Sequence, residues 1–190
     1  MRGRQLVVVD VHTTGPSFEA HEVFELAAID GASGRVWDLA LPLTSVQLER
    51  ADPTFLQLSG YHRRRLGEKA QHDASTVESE LAALSDALAG NTLGGADPEI
   101  HAAFLSKVFH RHGVRSCWHH LPVDIAALTA GAHGIPATNI PRLEVCCELW
   151  DVQLAEFPSA LDRAHAVAGC FAAFDRSSGR ESLLTALGRR

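Results

Sequence analysis

The fold is decided by one stretch near the N-terminus, Leu6-Val7-Val8-Val9-Asp10-Val11-His12-Thr13-Thr14-Gly15. Its apolar, β-branched run predicts a buried strand, and the threonines and glycine end that strand in a turn. Side chains alternate along a strand, so Asp10 and His12 should point to the same face. A carboxylate at the end of a buried strand is costly unless a metal or a hydrogen-bond donor pairs with it. We therefore expect other functional residues to converge on Asp10.

Composition predicts a single domain with a substantial core. The chain has 190 residues, of which 46% are hydrophobic, and both values are ordinary for one globular domain. The formal net charge is -6, so the whole chain does not attract nucleic acid and any such contact needs a local patch. The basic triplet Arg63-Arg64-Arg65 is compatible with a phosphate contact and equally with a solvated helix face.

Cysteine usage and hydropathy predict a soluble cytoplasmic protein. The four cysteines show no framework spacing, which favours reduced thiols over disulfides. A strand begins almost at once, so we expect no N-terminal signal. Apolar runs stay well short of the roughly 20 residues that span a bilayer, and we expect no membrane contact.

Periodicity predicts a mixed α/β domain. Strands are expected at 5–12, 22–30 and 35–42, with a hairpin between the second and third, and further strands at 92–96 and 118–124. Helices are expected at 75–88, 101–112, 125–132, 144–150 and 159–174, and a short helix is expected between Asp52, its N-cap, and Gly60, which ends it, while the rest of 42–73 gives no clear pattern. A mixed central sheet flanked by helices fits this order. We expect one domain over 1–176 and a tail or short helix over 177–190.

Three stretches resemble the motifs of the DnaQ-like (DEDDh) 3'–5' exonuclease family. The first strand resembles the family's Asp-x-Glu-Thr-Thr-Gly motif, with His12 at the Glu position. The stretch 94–105 resembles the second motif, with His101 at its acidic position. In 165–170, His165 matches the family's general base and Cys170 stands where the last metal-binding Asp is expected. The resemblance covers roughly 6–174 and implies a ribonuclease H-like fold.

This resemblance implies an altered metal site. The family hydrolyses phosphodiesters with two hard divalent cations held by carboxylates, yet among its acidic positions only Asp10 keeps an acid here. Neutral imidazole and thiol are poor magnesium ligands, so a standard two-magnesium site is not expected. Asp10, His12, His101 and Cys170 instead offer oxygen, nitrogen and sulfur donors, which suit zinc or a manganese-like ion. His165 would then be the base that activates water.

Two principal functions follow from the resemblance. The first is metal-dependent 3'–5' hydrolysis of single-stranded DNA or RNA ends at a re-tooled site, with Asp10 and His165 as catalytic residues. The second is a catalytically inactive pseudo-exonuclease that binds nucleic acid or docks on a polymerase or another replication protein. A zinc-stabilised structural domain is a more distant third. Thr13, Thr14 and Phe18, in and after the first motif, are the candidate nucleic-acid contacts, with Phe18 as a base-stacking residue.

Overall fold

The structure, a computed structural model, describes residues 3–178. Most of the tail or short helix expected over 177–190 lies outside the described residues. The strands are β1 (Leu6–Thr13), β2 (Val23–Asp30), β3 (Val36–Ala40), β4 (Thr92–Gly95) and β5 (Val123–Asp124). The helices are α1 (Ser45–Glu49), α2 (Pro53–Leu58), α3 (Leu66–Lys69), α4 (Ala74–Leu88), α5 (Pro98–Arg111), α6 (Ile125–His133), α7 (Leu143–Trp150) and α8 (Ala160–Ser177).

The strands form one mixed sheet with β1 at its centre. Their order is β3-β2-β1-β4-β5; β1, β2 and β3 pair antiparallel, and β4 and β5 continue the sheet in parallel with β1. The register places Asp10 opposite Ala27 and His12 opposite Glu25. The predicted mixed sheet and the predicted hairpin between the second and third strands are both confirmed.

Side-chain alternation along β1 sorts the core into two layers. Val7, Val9 and Val11 pack with buried residues of α4 and α5. Val8 packs on the opposite face, among buried residues of α6, α7 and α8. Asp10 has the same parity as Val8 and lies on this second face, where Arg163 of α8 contacts it. The sheet is therefore sandwiched between two helical layers, as expected for an α/β domain.

Helix α8 lies against the central strands because one of its faces is small and apolar. Its buried positions include Ala160, Ala164, Val167 and Phe171, which recur at helical spacing. A capping box between Ser159 and Asp162 starts the helix and satisfies amides that have no intrahelical partner. The first turn of α8 is thereby held against β1 and β2, where the polar residues of the sheet lie.

Two parts of the chain differ from the expectation. The unassigned stretch 42–73 contains α1 and α3 besides the expected α2; these helices are too short for hydrophobic periodicity to reveal. The strand expected at 118–124 is reduced to Val123–Asp124, because His119 hydrogen-bonds to the Asn91 carbonyl outside the strand ladder. Within 3–178, no helix combines the length and apolarity needed to cross a membrane.

The apolar side chains packed between β1 and α4 should contribute much of the free energy of unfolding. Leu84 of α4 is fully buried, and truncating such a leucine removes contacts and leaves a cavity. We predict that Leu84→Ala lowers the free energy of unfolding by roughly 2–5 kcal/mol in urea titrations. The control Leu58→Ala, at a side chain that is 66% exposed, should change it by less than about 0.5 kcal/mol. Equal effects of the two variants would contradict this packing.

Candidate functional site

Asp10 is fully buried near the carboxyl end of β1 and is paired with an arginine of α8. The Nε atom of Arg163 donates to both carboxylate oxygens of Asp10, at 3.2 Å to each. The same guanidinium approaches Glu144 of α7 at 3.6 Å. A buried ionised carboxylate needs a counter-charge or hydrogen-bond donors. Arg163 supplies both to Asp10.

His101 of α5 also approaches Asp10. Its Nδ1 atom is 3.1 Å from the Val9 carbonyl oxygen; since a carbonyl only accepts, Nδ1 carries a proton. The other ring nitrogen, Nε2, is 4.0 Å from an oxygen of Asp10. A side chain at Gly95 would come within 3.4 Å of the His101 ring, so glycine on β4 leaves room for this imidazole. Asp10 thus has both a guanidinium and an imidazole within 4.0 Å of its carboxylate.

A second buried carboxylate, Glu25, lies on β2 opposite His12. Nδ1 of His12 is 2.8 Å from Glu25, and Nη1 of Arg64 donates to it at 2.8 Å. The backbone amide of Ala160, in the first turn of α8, adds a third donor at 3.3 Å. Burial alone would raise the pKa of Glu25, but the hydrogen bonds from His12 and Arg64 lower that pKa to about 2. Glu25 is therefore ionised at neutral pH and ties α8 and Arg64 to the sheet.

Of the predicted metal ligands, Asp10 and His101 come together, whereas His12 pairs with Glu25. Cys170 is buried on α8 with its Sγ 4.0 Å from that of Cys147. The hydrogen bond to Cys147 and burial together raise the pKa of the Cys170 thiol above its usual range, and the hydrogen bond to Cys170 lowers the pKa of the Cys147 thiol. Among residues 3–178, no group of three or more His, Cys, Asp or Glu side chains could hold a metal ion.

The predicted general base is also placed differently from the expectation. His165 is exposed on α8 and is not among the hydrogen-bond or ion-pair partners that the structure gives Asp10. The α8 residue that faces Asp10 is Arg163, about two helical turns before Cys170. The catalytic and metal-binding roles assigned to His165 and Cys170 stay predictions.

Sequence reasoning missed Arg163, Glu25 and Arg64. The signal for Arg163 is the periodicity of α8, because position 163 lies one turn from the buried residues Ala160 and Val167 and so faces the sheet. The signal for Glu25 is an acid in the middle of β2, whose other polar residue, Asp30, stands at the end of the strand. Arg64 carries no local signal, because only the tertiary fold brings it to Glu25.

The candidate nucleic-acid contacts after β1 are largely engaged within their own loop. The Thr13 hydroxyl donates to the Gly15 carbonyl at 2.8 Å, and the Thr14 hydroxyl accepts from the Glu22 amide at 2.9 Å. Phe18 is 42% exposed and meets the Phe104 ring edge-on, with centroids 6.2 Å apart. Of these three residues, Phe18 offers the most free surface for a ligand, and their contact with nucleic acid stays a prediction.

Comparison with known proteins identifies the fold. No protein-family model matches the chain, and no curated protein matches it. Solved structures of Escherichia coli exonuclease I do match, at low sequence identity. The zinc-ion-bound form of its complex with single-stranded DNA gives a TM-score of 0.73 at 13% identity, covering 93% of this chain and 41% of that one. A complex of exonuclease I with a dA16 oligonucleotide gives a TM-score of 0.69 at 14% identity, covering 98% of this chain and 43% of that one.

These matches confirm the mixed α/β, ribonuclease H-like fold that the motif resemblance implies. A third structure, exonuclease I with a dT13 oligonucleotide, gives a TM-score of 0.68 at 13% identity and covers 93% of this chain and 43% of that one. This chain therefore spans less than half the length of the exonuclease I chains that it resembles.

The pairing of Asp10 with Arg163 can be measured by a double-mutant cycle. We predict that Arg163→Leu lowers the free energy of unfolding by roughly 3–5 kcal/mol, because it leaves a buried charge uncompensated. Adding Asp10→Asn should recover much of that loss. The control Arg35→Leu, which breaks the exposed pair with Glu80, should cost less than about 1 kcal/mol. Additive effects of the two site substitutions would contradict the pairing.

The Glu25 network predicts a specific pH dependence. Because folding lowers the pKa of Glu25 from 4.5 to about 2, its stabilising contribution is complete above pH 4.5 and disappears as the pH falls toward 2. The stability difference between the wild type and Glu25→Gln should therefore be constant near neutrality and shrink through this window. Urea titrations at a series of pH values measure it, and a difference independent of pH would refute the assignment.

Proposed function

We propose that this protein is a pseudo-exonuclease, which binds a single-stranded nucleic-acid end in an exonuclease fold without hydrolysing it. The observation that carries the proposal is the pairing of Arg163 with both oxygens of Asp10. In place of a divalent cation, a guanidinium from the protein itself neutralises the acid of the first motif.

Charge argues against a metal at this position while Arg163 remains in place. A divalent cation on Asp10 would lie within a few ångströms of the guanidinium, where like charges repel strongly in a site of low dielectric. Glu25 is the other buried acid among residues 3–178, and it is already paired with Arg64 and His12. Magnesium sites usually combine carboxylates with water or substrate phosphates, and neither carboxylate here is free to take part.

Structural similarity supports single-stranded nucleic acid as the ligand class. The similar structures include exonuclease I complexes with dT13 and dA16 oligonucleotides. In this chain Arg163 and Arg64 are paired with the two buried carboxylates, so contact with a phosphate backbone has to come from another basic side chain such as Arg63, at a local patch, because the total charge is negative. DNA and RNA are both candidates, as expected from the sequence.

A second candidate is hydrolysis at a softer, single-metal site, supported by the approach of His101 to Asp10 at 4.0 Å. The zinc-bound form among the similar exonuclease I structures makes zinc or a manganese-like ion a reasonable cofactor for it. In this account Arg163 has to leave Asp10 before an ion can bind. The sequence-based predictions of a cytoplasmic location and of docking to a polymerase remain predictions.

An activity assay separates the two candidates. We predict that the full chain binds labelled single-stranded DNA or RNA in fluorescence anisotropy yet releases no nucleotides in magnesium, manganese, zinc or cobalt. Hydrolysis by contaminants is controlled by Asp10→Ala, purified in parallel. Metal-dependent degradation that disappears in Asp10→Ala would establish the enzyme and refute the pseudo-exonuclease. Absence of any binding would refute the proposal as well.

A further inference from the structure

A cavity of about 570 Å³ opens beside the Glu25 network, between α1, α2, the turn after α2 and the segment before α8. Its walls are largely apolar and include Leu48, Ala51 and Leu56. Gln57 and Glu49 add polar groups at the lining. The volume lies within the roughly 300–1,000 Å³ of pockets that hold small organic ligands. An apolar cavity with a few polar groups suits a flat, partly polar ligand.

One wall of this cavity is a stacked pair of side chains. The guanidinium of Arg63 lies over the ring of Phe157, 3.6 Å from its centroid, and Phe157 remains 39% exposed. Planar guanidinium and aromatic groups are the surfaces on which unpaired bases stack in single-strand binding proteins. The pair can therefore extend its stack with one planar heterocycle placed in the cavity.

The charge of Arg63 is available to a ligand. Its neighbours in the basic triplet are engaged, Arg64 with Glu25 and Arg65 with Glu68. Within residues 3–178, the structure gives Arg63 no acidic partner, and its contact is with Phe157. A phosphate beside the stacked base would supply the missing counter-charge. His62 also lines the cavity and offers another donor to that phosphate.

Both sides of the stacked pair are held by the same buried carboxylate. Arg64, next to Arg63 in the chain, pairs with Glu25, and Ala160, shortly after Phe157, donates its amide to Glu25. Glu25 therefore ties together the two segments of the chain that carry Arg63 and Phe157.

We infer that this cavity binds one unpaired base of a single-stranded nucleic acid, which extends the stack of Arg63 on Phe157, with the N–H edge of the Arg63 guanidinium contacting the adjacent phosphate. The inference rests on the proposed function and names the part of the protein that contacts the nucleic-acid strand. Glu49 and Gln57 face the same space and can hydrogen-bond the edges of the base, whereas a purely apolar peptide side chain would leave these polar groups and Arg63 unused.

The test uses the full chain and oligothymidylates that carry one 2-aminopurine, with EDTA present. We expect Phe157→Ala to weaken binding about tenfold, the loss typical of one stacked base, and Phe157→Trp to retain it. Arg63→Ala should weaken binding. It should also make the slope of log affinity against log salt concentration shallower by about 1, the amount that corresponds to the loss of one phosphate contact. The 2-aminopurine fluorescence should be quenched most strongly at a single position of the strand.

The control is Leu58→Ala, at an exposed position of the neighbouring helix α2, which should bind like the wild type. Wild-type affinity in both Phe157→Ala and Arg63→Ala would overturn the base pocket and leave the proposed function intact. A wild-type chain that binds no oligonucleotide would overturn both. Binding of apolar peptides but not of oligonucleotides at the cavity, lost in Phe157→Ala, would assign the cavity to a protein partner and refute the inference.

Discussion

A carboxylate buried in the central strand of a sheet must be neutralised, and in this protein Arg163 of α8 neutralises Asp10. Because breaking such a pair costs several kcal/mol, the pair fixes how α8 sits on β1. The small buried residues of α8 allow this close approach, and its capped first turn directs an amide at Glu25. One helix thus satisfies both buried acids of the sheet, and the remaining polar groups are arranged around them.

The fold agrees with the family resemblance, but the buried acids are paired with arginines and not arranged as the resemblance implies for a metal site. A sheet of this kind can place acids where a metal would hold a scissile phosphate, yet here the acids act as anchors for arginines and for α8. Arg163 and Arg64 are paired with these acids, so the phosphate contact that we propose falls to Arg63, whose guanidinium lies over Phe157. The Arg63–Phe157 pair lines the cavity in which we propose that a base binds.

Much of the fold follows from local sequence. Alternation in β1 placed Asp10 and His12 on one face, and the turn-forming residues before β3 identified the hairpin. The site was harder to predict because its partners come from distant segments. Motif matching selected His165 and Cys170 of α8 as site residues, whereas the periodicity of the whole helix favours Arg163, which is the residue that contacts Asp10. The pairing of Arg64 with Glu25 could not be predicted from the sequence, since only tertiary packing brings the two residues together.

The central claim is that a guanidinium takes the place of a metal at Asp10. Calorimetric titration of the purified, chelator-treated protein with manganese and with zinc tests it most directly, with Asp10→Asn as the matched control. The account predicts that wild type and control give the same heats, with no stoichiometric binding that depends on Asp10. One ion bound per chain in the wild type and lost in Asp10→Asn would contradict it.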